Sequence, residues 1–153
     1  MKKQIFAIGA ILLFITLNFS GCEEIGMKPD YITVNVFVTV YVNLYTSEDT
    51  KAEGLPENIS VSIKMQKDRG EQLTFEKTTD ITGACEASGS FKLYKEQFIE
   101  CTATIQGGYK DFYPLAPAYK MLSWDEVYPE NDFGKTYSWY IELFVKMTNS
   151  SAL

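Results

Sequence analysis

The stretch from Ile32 to Leu44 leaves this chain the least freedom. Its even positions, Ile32, Val34, Val36, Val38, Val40, Val42 and Leu44, are all apolar. Thr33, Asn35, Phe37, Thr39, Tyr41 and Asn43 stand between them. An unbroken period of two in β-branched and aromatic residues describes a strand with one face on a core. A helix would instead space its apolar residues three and four apart. At about 3.3 Å per residue the stretch spans roughly 43 Å, beyond an ordinary strand, so it is expected to bend or to pass between two sheets.

The same period recurs downstream. Ile59, Val61, Ile63 and Met65 alternate with polar residues, and Lys67–Gly70 is a turn in which Gly70 can take positive φ. Leu73 and Phe75 mark the returning strand of a hairpin. After a turn at Thr79–Gly83 come two short strands, one at Cys85 and Ala87 and one at Phe91 and Leu93. Phe98–Ile105 and Thr136–Met147 alternate again. The pattern predicts an all-β domain, an antiparallel β-sandwich of about seven strands. A closed barrel with an interior ligand site is the other arrangement such strands allow.

Gly107–Lys135 has no sustained period and holds Pro114, Pro117 and Pro129. It reads as one long aromatic-rich loop before the last strand, with room for a helical turn at Ala118–Leu122 or Ser123–Tyr128.

The N-terminus has its own logic. Lys2 and Lys3 precede an apolar run, Ile5–Phe19, too short to span a membrane and suited to an export signal. Phe19-Ser20-Gly21-Cys22 resembles the lipobox of prokaryotic lipoproteins, with Phe19 where an aliphatic residue is usual. The resemblance implies cleavage before Cys22 and lipid on it; an uncleaved anchor is the second reading. The organisation is then a signal peptide over 1–21, a lipid-anchored tether over 22–30, a β-sandwich domain over 31–148 and a flexible tail over 149–153. Both readings place the domain in the cell envelope, outside the cytoplasm.

Removing residues 1–21 removes two lysines and no acid, leaving 12 basic residues against 20 acidic ones, a net charge of −8. Such a chain has no electrostatic footprint for nucleic acid or anionic headgroups. With Cys22 lipidated, Cys85 and Cys101 remain. An oxidising compartment favours a disulfide between them, worth about 3 kcal/mol for a loop of this size; two buried free thiols are the other reading.

Thr79-Asp80-Ile81-Thr82-Gly83-Ala84, then Phe91-Lys92-Leu93 and Ile99-Glu100-Cys101-Thr102-Ala103, resembles the T-D-x-x-G turn and following strands of prokaryotic Ig-like domains. With Gly108-Tyr109 after the strand, it is also similar to carboxypeptidase-regulatory-like domains. The resemblance covers roughly residues 59 to 112. It implies an Ig-like sandwich serving as a non-catalytic surface module.

Histidine is absent, which removes the commonest general base and an imidazole metal ligand. No phosphate-binding or dinucleotide fingerprint is present, and no cofactor or metal is called for. Asp125, Glu126, Glu130 and Asp132 supply carboxylates for a hydrolase, for calcium, or for a solvated acidic loop. Tyr113, Tyr119, Trp124 and Tyr128 offer aromatic anchors for a protein or carbohydrate ligand at the 107–135 loop. Alternatively those rings fold back as a second small core. The first reading expects Trp124 exposed and Trp139 buried. Asn58 and Asn149 begin glycosylation sequons.

Overall fold

The computed structural model describes residues 30–46, 50–68, 70–127 and 133–149. The leader, Cys22 and Tyr128 lie outside them. Among the described residues eight strands form two sheets: β1 (Tyr31–Tyr45), β2 (Ser60–Lys67), β3 (Gln72–Thr78), β4 (Ala84–Tyr94), β5 (Phe98–Ile105), β6 (Phe112–Pro114), β7 (Ala118–Ser123) and β8 (Thr136–Asn149), with one helical turn, α1 (Trp124–Val127). The front sheet has the order β4-β1-β8-β6 and the back sheet β3-β2-β5-β7.

The alternation of β1 is realised as it stands. Ile32, Val34, Val36, Val38, Val40, Val42 and Leu44 are all buried. The strand does not change sheets. It is paired on both sides, with β4 from Tyr31 to Tyr41 and with β8 from Thr33 to Tyr45, and two ladders hold it in one sheet. The β1–β8 pair is parallel, and every other pair is antiparallel. A parallel pair needs a long crossover. Here the whole domain between the first and last strands supplies it.

Cys85, Ala87, Phe91 and Leu93 belong to one strand, not two. β4 keeps a single inward parity through Gly89, where an added Cβ would lie 2.7 Å from Leu73 Cδ1 and 3.1 Å from Met65 Sδ. The glycine is a place where the facing sheet closes in, and periodicity alone reads it as a break. The β2–β3 hairpin forms, but Asp68 (φ 40°), not Gly70, takes the positive φ.

The segment 107–135 is more ordered than its composition predicts. Tyr109 and Phe112 exchange main-chain hydrogen bonds around Lys110 and Asp111. β6 then lines the front sheet, and β7 the back. Both are edge strands, half solvated, so their apolar alternation is diluted. The helical turn comes at Trp124–Val127 rather than Ala118–Leu122, and β8 runs one residue into the expected tail.

Candidate functional site

In a strand with its even positions buried, the odd positions form the opposite face. On the front sheet that outer face brings the odd residues of β1 beside the even residues of β4 and β8. Register sorts them into rows. Phe37 lies between Ser88 and Tyr140, and Tyr41 between Ala84 and Phe144. Asn35 lies between Ser90 and Ser138, and Thr39 between Glu86 and Glu142. Asn43 lies beside Lys146. Aromatic and polar rows therefore alternate from Asn35 to Asn43.

The aromatic rows are stacked pairs. Phe37 and Tyr140 have ring centroids 5.0 Å apart at 16°, and Tyr41 and Phe144 5.3 Å apart at 17°. Tyr140 is 74% exposed and Phe144 56%. At both ends of the face lysines sit over tyrosines: Lys92 Nζ is 4.7 Å from the Tyr31 ring and Lys146 Nζ 4.6 Å from the Tyr45 ring. Cation–π contacts thus occupy the end rings. The two central stacks stand between them.

Three hollows follow the same line. One of about 190 Å³ is lined by Asn35, Phe37 and Ser88–Ser90. The largest, about 400 Å³, lies at Phe37, Thr39, Glu86 and Tyr140 and reaches round the β4 edge to Phe75 and Lys77. The third, about 190 Å³, lies at Tyr41, Asn43 and Phe144, walled by Lys51, Leu55 and Thr82. Charge on the outer face of the front sheet balances, with Glu86 and Glu142 against Lys92 and Lys146.

The chain matches no protein-family model, no curated protein and no solved structure.

The aromatic anchors expected at 107–135 are not brought together. Tyr113 is on β6 of the front sheet and Tyr119 on β7 of the back sheet. Trp124 is buried against the core, its ring centroid 5.9 Å from Phe133, so the expectation that it is exposed fails. Trp139 is only half-buried, again opposite to expectation. β6 pairs with β8 only at Met147–Asn149, which leaves Trp139 beside an open edge. Glu126 is occupied locally. Its Oε2 accepts from the Ser123 main-chain N–H at 2.7 Å and the Ser123 hydroxyl at 3.1 Å, the carboxylate half of a capping box on α1. Among the described residues no three thiol or carboxylate groups converge as metal ligands would.

The expected disulfide is also absent. Cys85 and Cys101 are both free and buried. They lie on facing sheets, about 10 Å apart where sheets pack, whereas a disulfide needs Cα atoms within about 7 Å. They are also offset along the strands. Cys101 is level with Met65, which packs at Gly89, four residues along β4 from Cys85. Burial pushes the Cys85 thiol up to about 11, the nearby Lys77 opposing, and burial pushes Cys101 up to about 12.

The front-sheet face was missed for a definite reason. Phe37 and Tyr41 sit on the polar parity of β1, and Tyr140 and Phe144 on the polar parity of β8. Aromatic residues on the wrong parity of two strands are a signal. Only the parallel register shows that the two sets meet.

Proposed function

We propose that this chain is an exported, lipid-anchored binding module without catalytic activity, and that its working surface is the outer face of the front sheet. The observation that carries this reading is the pair of exposed ring stacks, Phe37 on Tyr140 and Tyr41 on Phe144. Apolar area left in water forgoes about 25 cal/mol per Å², and exposed aromatic side chains are enriched at interaction surfaces. The export reading rests on Lys2-Lys3, the Ile5–Phe19 run and Ser20-Gly21-Cys22. Nine residues, Cys22 to Asp30, reach at most about 32 Å. Lipid on Cys22 would therefore hold the face near the membrane, while the acidic domain stays off anionic headgroups.

Ser88→Cys, beside Phe37 on the same face, tests both parts, because it leaves the four rings in place and because Cys85 and Cys101 are buried. A maleimide that does not cross the cytoplasmic membrane is applied to native cells and to purified protein. The expected result is slower labelling in cells at Ser88→Cys, with Tyr119→Cys on the opposite sheet labelled equally fast in both. Equal rates at Ser88→Cys would remove the face as a binding surface. No labelling of either variant in cells would remove export.

A further inference from the structure

We infer that the outer face of the front sheet binds a linear, uncharged polysaccharide lying along β1; the inference rests on the binding reading above. The face is periodic, and so is such a ligand. Stacked rows at Phe37 and Tyr41 are four residues, about 13 Å, apart, with polar rows before, between and after them. The three hollows lie in line along the same strand, from Asn35 to Asn43, so the contacts repeat along one direction. A sugar ring has an apolar face, which stacks on an aromatic ring, and a rim of hydroxyls. The Asn35, Thr39 and Asn43 rows place amide, hydroxyl and carboxylate groups where that rim would lie.

The other partners of aromatic surfaces fit less well. Single-stranded nucleic acid stacks on rings but needs a cationic groove. The outward residues of the sheet carry two glutamates against two lysines at its ends, and Lys51 and Lys77 stand singly at separate hollows, so no continuous cationic groove forms. An extended peptide adds to a sheet edge through main-chain hydrogen bonds, and the main chain of β1 is already paired on both sides. A globular partner favours one central apolar cluster inside a polar rim, not alternating rows. The balanced charge of the face matches an uncharged polymer, and the acidic chain around it repels an anionic one.

The test uses the full chain solubilised in detergent. The probes are cellulose, chitin, xylan and a mixed-linkage glucan, with polygalacturonate and heparin as anionic comparisons, read as depletion isotherms or gel retardation. The expected result is retention by at least one neutral probe and by neither anionic one. Tyr140→Ala and Phe144→Ala should each weaken it about tenfold or more, the scale of an aromatic hot spot. Tyr119→Ala should leave it unchanged. Both face residues are well exposed, so these variants are expected to fold, and a thermal melt checks it. Several results would overturn the inference: no neutral probe retained, retention only by anionic probes, or retention unaffected by both face variants. So would self-association of the wild type that the face variants abolish, which would assign the face to a second copy. If neutral probes fail while Ser88→Cys stays protected in cells, the ligand class is wrong and the binding reading stands. If protection is absent too, both fall.

Discussion

At the scale of the residue, Thr79 ties the end of β3 to the segment leading into β2 with one buried hydroxyl. Its Oγ1 accepts the Ile59 N–H at 2.9 Å and donates to the Pro56 carbonyl. Its main chain exchanges hydrogen bonds with Asn58 and Ile59. Thr79→Val keeps the shape and removes the hydroxyl, leaving the Ile59 N–H and the Pro56 carbonyl without it. We expect a loss of about 1–3 kcal/mol. Urea unfolding should show a lower midpoint at unchanged slope; an unchanged midpoint would mean that water replaces the hydroxyl. The neighbouring turn is built from the residue types that mark it in the sequence. Asp80 Oδ1 accepts from the Thr82 hydroxyl and from the N–H groups of Thr82 and Ala84, and these bonds hold its carboxyl below the ordinary range. Gly83 takes φ +77°, and a Cβ there would meet Pro56 Cδ at 2.9 Å. The turn was legible because its chemistry is local. The partnership with Pro56, 23 residues away from Thr79, was not.

Among the elements, β8 carries the most for its length. It lies between β1 and β6 and buries Ile141, Leu143, Val145 and Met147. At about 1.5–3 kcal/mol each, these side chains contribute on the order of 10 kcal/mol. That is comparable with the whole stability of a typical domain, about 5–15 kcal/mol. A chain ending at Lys135 should therefore lack a cooperative thermal transition by circular dichroism. A truncated chain that still melted cooperatively would show that β1 and β4 suffice for the front sheet. β8 was readable from its alternation, as β1 was, because its core-facing residues are buried wherever the strand has neighbours. β6 and β7 were not, because edge strands bury only part of one face: Tyr119 and Met121 are exposed beside buried Leu122.

Across the whole molecule, the two thiols report on the one core that both sheets share. Cys85 faces inward from the front sheet and Cys101 from the back. Their folded pKa values, about 11 and about 12, lie above the ordinary 9.0 because burial disfavours the thiolate. Their burial contributes stability that is complete below about pH 9 and is lost as pH rises toward those values. At pH 8 the native domain should show no reactive thiol among these two, and unfolding without reductant should release both. Reductant should leave the melting temperature unchanged. A melting temperature lowered by reductant would restore the disulfide.

Alternation in Ile32–Leu44 and Thr136–Met147 was enough to establish strands, an all-β domain and most of the core. Period-two burial is a property of each strand by itself, so it can be read before any partner is known. The residue types at Thr79–Gly83 likewise marked a turn from local hydrogen bonding. Tertiary structure alone decided which strands lie side by side. It placed the first and last strands in parallel, so that Phe37 meets Tyr140 and Tyr41 meets Phe144 across a distance of about a hundred residues. It also turned Trp124 inward and set Cys85 and Cys101 on facing sheets. Pairing and facing depend on how distant segments share one core, and no local pattern carries that information.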